Sequence, residues 1–313
     1  MERRLNFRAG IDENGLGARL GPLVVTGVLA RVTEQGDRLL SRKPPRRLRD
    51  DLGDSKELVS HGDVALGEAW ARALGRGPAR SPAEIVASLC LESEEELRSP
   101  CPSHVAAQCW SAEAEKFVAE DSDVERIRGH LRFWAERGVE IVSVTSSVVC
   151  TKRLNDAKGS GGNRFVSDLH AMERLVLSFR RTAGEDLVAV CGKVGGIEDY
   201  SRFFGPLSHG LHAELGRSRA KSAYLFPNVG EVRFVRDADA KDCLVMLASI
   251  VGKWAREVLM ARIATHYRGT DPESVSVSGY HDPVTARFVD ETALLRKKRR
   301  VPDDCFERAR DAR

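Results

Sequence analysis

Ile11 to Gly27 reads Ile-Asp-Glu-Asn-Gly-Leu-Gly-Ala-Arg-Leu-Gly-Pro-Leu-Val-Val-Thr-Gly, and the architecture follows from these seventeen residues. Ahead of the two adjacent carboxylates, Asp12 and Glu13, the residues Leu5, Phe7, Ala9 and Ile11 alternate with Arg4, Asn6, Arg8 and Gly10, the period of a half-buried strand. Behind them, Leu23 to Ala30 is a run of apolar and small residues that suits a strand buried on both faces. Two strands therefore meet at a glycine-rich turn with acid at its mouth. By itself Asp-Glu-x-Gly is also an ordinary acidic turn, because Asp, Asn and Gly are common turn residues. As a functional element it is a place for a hard cation, which takes oxygen ligands.

Working outward, Ser41 to Asp50 is a basic, proline-containing loop that leads into Asp54-Ser55-Lys56. Residues 62 to 135, rich in Ala, Glu, Leu and Arg and broken at Gly75 to Pro78 and Ser99 to Ser103, read as a helical insertion, with Ser81-Pro-Ala-Glu opening one helix. A strand is expected at Glu140 to Val149, a helix at Arg164 to Phe179, a strand at Asp186 to Cys191, a short strand at Val232 to Val235 and a long helix at Cys243 to His266. In that last helix Leu244, Leu247, Val251, Trp254, Val258 and Ile263 form an apolar stripe, so Lys253, Arg256 and Arg262 are expected on a solvated face. Asp239 and Asp242 precede the helix, and either suits its positive N-terminal end. Strands alternating with helices predict an α/β fold.

A chain of 313 residues with 42% hydrophobic content can bury a large core, and its formal net charge is only +3, so a nucleic-acid footprint has to come from local clusters of Arg and Lys. The seven cysteines show no paired spacing, which predicts reduced thiols and a cytoplasmic protein; no signal peptide or bilayer-spanning run is read from the sequence.

Four motifs recur in one order: Asp12-Glu13-x-Gly15-x-Gly17, Asp54-Ser55-Lys56-x-Leu58, Ala238-Asp239 followed by Ala248-Ser249-Ile250-x-x-Lys253, and Ser278-Gly-Tyr280. Together they resemble the ribonuclease H2 (ribonuclease HII) family, of which this chain looks like a divergent member. The resemblance implies a ribonuclease H-like mixed β-sheet flanked by helices, with the helical insertion and a helical C-terminal extension. It divides the chain into a catalytic core, 1–267, and an extension packed on it, 268–313. It further implies an endonuclease that cleaves the RNA strand of RNA/DNA hybrids, with Mg2+ or Mn2+ as cofactor and no protein partner predicted. Asp12, Glu13 and Asp239 would be catalytic metal ligands, and Gly15, Gly17, Lys56, Lys193 and Tyr280 would meet the substrate. Two metal ions about 4 Å apart can activate water, stabilise the leaving oxygen and neutralise developing charge.

Two departures from the family pattern bear on activity. Aligning Val194-Gly195 and Tyr200 puts Gly192 where a further aspartate belongs, with Lys193 next to it; Glu198 and Asp199 are badly spaced substitutes. Between the first glycines Leu16 replaces an arginine, leaving backbone amides at Gly15 and Gly17 to read a ribose 2′-hydroxyl. A binding protein for hybrid or other duplex nucleic acid without efficient turnover is therefore the alternative. A third reading moves the chemistry to Cys191 and Lys193. Lys158 to Gly162 lacks the order of a phosphate loop and reads as a turn. Arg296-Lys-Lys-Arg-Arg300 is either a clamp on duplex phosphates or a solvated helix face. His266 and His281 have no partner at zinc spacing.

Overall fold

The computed structural model describes residues 6–75, 77, 79–112, 115–194, 196–269 and 276–309. Arg4 and Leu5, Gly195 of the aligned turn, two residues of the 75–78 break, and 270–275 and 310–313 of the expected extension lie outside the described residues.

Seven strands form one mixed sheet: β1 (Phe7–Asn14), β2 (Leu23–Val32), β3 (Val139–Val149), β4 (Leu187–Gly192), β5 (Ala213–Arg217), β6 (Lys221–Phe226) and β7 (Gly230–Val235). Their order is β3-β2-β1-β4-β7-β6-β5. β1, β4 and β7 run parallel at the centre, while β2 and β3 on one side and β6 and β5 on the other pair antiparallel. The expected mixed sheet flanked by helices is present. The β5–β6 hairpin is an addition: every residue of β5 is exposed, and β6 buries Ser222, Ala223 and Tyr224 in a row, so neither strand shows a clean alternation.

The helices of the expected insertion are α3 (Ala65–Leu74), α4 (Pro82–Leu89), α5 (Glu94–Arg98), α6 (Ala107–Trp110) and α7 (Asp121–Ala135), preceded by α1 (Glu34–Leu40) and α2 (Ser55–Leu58). After β3 come α8 (Thr151–Gly159) and α9 (Arg164–Ala183), and after β7 come α10 (Cys243–Arg268), α11 (Pro283–Lys298) and α12 (Asp303–Phe306). Ser81 caps α4 and proline opens it, as the sequence predicts. α10 and the insertion helices cover one face of the sheet through Leu244, Leu247, Trp254, Trp70 and Trp134, all fully buried. α9 covers the other through Met172, Leu175 and Phe179.

β1 lies between β2 and β4 and is covered on both faces, whereas its alternation predicted one wet face. Its polar members have internal partners: Arg8 is buried and bonds Asp37 and Asp242. Gly10 admits the α10 backbone, since a Cβ there would stand 2.4 Å from the carbonyl carbon of Leu244. Hence α10 packs directly on β1, and Asp12, on the same face as Gly10, meets the helix that follows Asp239.

The solvated face expected on α10 is not there. Arg256 is 1% exposed, Arg262 8%, and the Lys253 ammonium donates to the Ser55 carbonyl at 2.9 Å. Helices of the insertion and the C-terminal segment cover that side, and Arg262 is neutralised by Glu115. Arg296 of the basic run is likewise buried, its guanidinium over the Phe306 ring and donating to the Val289 carbonyl at 2.8 Å. Phe288 and Phe306 pack with Leu20 and Met260, joining α11 and α12 to α10.

Candidate active site

Asp12 and Glu13 end β1 beside Gly192, the last residue of β4, because the parallel register pairs Ile11 with Cys191. A Cβ built on Gly192 would lie 2.9 Å from Oδ1 of Asp12 and 3.2 Å from Oε2 of Glu13. A side chain at position 192 would thus point between the two carboxylates. The two carboxylates crowd the space that a side chain at 192 would take.

Asp12 is held from α10. The Ser249 hydroxyl hydrogen-bonds its carboxylate and lies 2.8 Å from the Ser55 hydroxyl. Asp54 caps α2 by accepting from the Lys56 amide at 2.8 Å, which sets Ser55 inward and Lys56 outward. The Lys56 ammonium stands 3.6 Å from the Asp239 carboxylate, whose charge raises the Lys56 pKa. The Asp-Ser-Lys motif is therefore one device with two hands, a hydroxyl relay to Asp12 and a cation for Asp239.

The two acids before α10 take separate roles. Asp242 is the cap, accepting from the amides of Leu244 and Val245 at 3.0 and 3.2 Å. Asp239 sits in a single 3-10 turn after Asp237, whose φ of 54° reverses the chain, and its carboxylate stays partly accessible.

Asp12, Glu13, Gly15, Leu16, Gly17, Lys56, Gly192, Lys193, Asp239 and Tyr280 line one cleft of about 600 Å³. Burial, then the charge of Glu13, pushes the Asp12 carboxyl well above the usual carboxylate range. Burial, with a smaller contribution from Asp239, pushes Glu13 up to about 7. Like charges crowded out of water either keep a proton or bind a cation. Carboxylate oxygens suit a hard divalent cation, and Asp12 and Glu13, both lining the cleft, are donors of that kind. Among the described residues, however, no three His, Cys, Asp or Glu side chains are gathered as a ready metal-holding group. Asp239 faces Lys56 instead.

Tyr280 is 42% exposed and its ring lies on the buried Arg256 guanidinium, 4.5 Å from centroid to Cζ. Arg256 is itself fixed by Glu257 at 3.2 Å and the Ser278 carbonyl at 3.1 Å. Lys193 lines the cleft, but its ammonium donates to the Ser218 carbonyl at 2.6 Å and the Ser222 hydroxyl at 2.9 Å, so the β5–β6 hairpin occupies it. Asp199 is taken by Ser201, Arg202 and Arg217. Burial pushes the Cys191 thiol up, which keeps it protonated and a poor nucleophile.

Several residues of the site carry no sequence signal. His61 bonds Glu257 at 2.6 Å in the cleft wall, and that contact raises its pKa. Asp168 on α9 is fully buried, and neither carboxylate oxygen has a hydrogen-bond partner. Burial first, then the charges of Glu13 and Asp12, push it well above the usual range. It is a further acid behind the site, from a helix whose sequence shows only core periodicity.

No protein-family model matches this chain, and no curated protein matches it either. Solved structures do. The ribonuclease HII of a PCNA:RNase HII complex from Archaeoglobus fulgidus aligns at TM-score 0.46 and 21% identity, covering 98% of this chain and 96% of that one. The ribonuclease H2 of Pyrococcus horikoshii OT3 aligns at TM-score 0.44 and 16% identity, over 96% and 92%. Bst-RNase HIII in complex with Mn2+ aligns at 0.43 and 11%, over 97% of this chain and 67% of that one.

Proposed function

We propose that the cleft is the active site of a divalent-metal-dependent, ribonuclease H2-type endonuclease that takes RNA/DNA hybrids and cleaves the RNA strand, slowly because Gly192 supplies no ligand. One observation carries this: the eight residues nominated from motifs as far apart as Asp12 and Tyr280 line a single cleft. Asp12, Glu13 and Asp239 are the residues that would hold Mg2+ or Mn2+, which would supply charge neutralisation and an activated water.

The remaining roles belong to this chain. Ser249 fixes the rotamer of Asp12 through its hydroxyl. Lys56 neutralises Asp239 and, exposed at the rim, is free to exchange that carboxylate for a phosphate oxygen. Tyr280 offers a ring face to a sugar or base, stiffened from below by Arg256. The turn from Gly15 to Gly17 brings backbone close to the bound strand without side-chain bulk on either glycine.

Binding of hybrid duplex without turnover is the second reading. Gly192 and the Lys56-held Asp239 favour it, because both weaken a metal site while leaving the surface that grips a duplex. Incubating the purified protein with a labelled RNA/DNA hybrid in Mg2+ and in Mn2+, beside Asp12→Asn, separates them. Slow cleavage, faster in Mn2+ and abolished in Asp12→Asn with binding retained, is the expected result. Binding with no cleavage in either metal establishes the second reading, and failure to bind the hybrid overturns both.

A further inference from the structure

The glycine turn at residues 15–17 is braced from the far end of the chain. After α12 the backbone returns along the turn: Leu20 bridges to Glu307, Arg19 pairs with Glu307 at 2.7 Å, and the Arg308 amide donates to the Arg19 carbonyl at 3.0 Å. This threads the Arg308 side chain beneath the turn, where it is 2% exposed. Its Nη1 donates to the Gly15 carbonyl at 2.5 Å and the Leu16 carbonyl at 3.3 Å, and its Nε to the Gly21 carbonyl at 2.9 Å. Arg164 reaches the Leu16 and Ala18 carbonyls from α9, at 3.4 and 3.2 Å.

These contacts orient the other side of the turn. A trans peptide is planar with its N–H opposed to its C=O. With the Gly15 and Leu16 carbonyls turned onto Arg308, the N–H groups of Leu16 and Gly17, on the opposite edges of the same peptides, point away from it. Both residues line the cleft, and neither amide donates to an acceptor among the described residues. A buried guanidinium behind two peptide planes also polarises them toward an acceptor in front. Burial and the nearby Arg256 and Arg164 lower the Arg308 pKa to about 9, still charged at neutral pH, and its Nη2 has no partner. Such a group costs stability, and its contacts are with the turn.

We infer that Arg308 is the positioning residue of the glycine turn, which aims the Leu16 and Gly17 amides at a ribose hydroxyl oxygen of the bound strand and so sets the preference for RNA-containing duplex over DNA. The inference rests on the proposed hybrid-binding function. It supplies through the backbone, from the C-terminal segment, what Leu16 cannot supply by side chain.

The test compares full-length parent, Arg308→Gln and Arg308→Lys for binding to one RNA/DNA hybrid and to the all-DNA duplex of the same sequence, in metal-free buffer. One misdirected amide pair is worth about tenfold in affinity. Arg308→Gln should therefore lose hybrid affinity by about that factor with DNA affinity held within about twofold and the salt slope unchanged, because the guanidinium touches no phosphate. Arg308→Lys should recover part of the preference. Should the variants fold poorly, amide hydrogen exchange on the parent gives the same decision, with Leu16 and Gly17 protected by hybrid and not by DNA duplex. An unchanged hybrid-to-DNA ratio in folded Arg308→Gln, or no protection of those amides in a parent that binds hybrid, overturns the inference alone. A parent that binds neither duplex overturns the proposed function and the inference with it.

Discussion

Gly192→Asp places a third carboxylate between Asp12 and Glu13, and its cost can be worked from the geometry. The backbone at Gly192 is not left-handed, so aspartate fits the chain, and only the mobile ends of two side chains must give way. The new carboxylate begins from a Cβ 2.9 and 3.2 Å from their oxygens, which puts its charge about 4 Å from each; at an effective dielectric of about 20, each ionised pair would repel by about 4 kcal/mol. The variant escapes most of this by holding a proton. Keeping an aspartate neutral about 3 pH units above its ordinary pKa costs about 4 kcal/mol at pH 7, and about 1.5 kcal/mol at pH 5. Urea denaturation in chelator should therefore show the variant less stable than the parent by about 4 kcal/mol at pH 7, with most of the deficit gone at pH 5. Mn2+ should reverse the deficit, because a cation bound only by the folded state stabilises it by mass action. Hybrid cleavage should rise in step. A metal-free variant as stable as the parent at pH 7, or one that gains no more from Mn2+ than the parent does, would refute the placement of residue 192 between the acids.

Glu13→Gln tests the same crowding by pH. The folded Glu13 keeps its proton to about pH 7 while the unfolded one ionises near 4.5, so stability present below pH 4.5 is lost as pH rises to about 7; the variant should flatten this decline by about 3 kcal/mol, and equal pH slopes in urea melts would contradict it. Asp168→Asn should raise the melting temperature at pH 8, since a buried carboxyl without partners is replaced by a neutral amide; a lower melting temperature would mean the carboxyl has a bonded role. Arg296→Ala should cost about 2–3 kcal/mol of stability by stripping the Phe306 contact and the bond to Val289, whereas Lys297→Ala with Lys298→Ala should spare stability and, if the run meets phosphate, reduce the salt slope of hybrid binding by about one unit per contact. Tyr280→Ala should weaken hybrid binding by about 1–3 kcal/mol with little change in slope, which titration at two salt concentrations reads directly.

What the sequence determined by itself was whatever repeats over a few residues. Alternation before Asp12, the apolar run after Pro22 and the stripe on α10 identify the central strands and the main helix, because side-chain periods of two and of three to four are set by the local backbone. Glycine and acid at the end of β1, the Asp-Ser-Lys motif and the acid pair before α10 marked out the cleft, because carboxylates beside turn and cap residues stand out in the chain wherever they fold to. The tertiary structure alone decided the rest. It made Asp242 the cap and left Asp239 in the cleft, although the two lie three residues apart and are chemically alike. It buried Arg256, Arg262 and Arg296, whose positions on their helices look solvated until the insertion and the C-terminal segment close over them. It brought Asp168 behind Glu13 and Arg308 under Gly15, the latter across 293 residues. Contacts of that span depend on which elements pack together, and a buried charge reveals its partner only once the surface that buries it is in place.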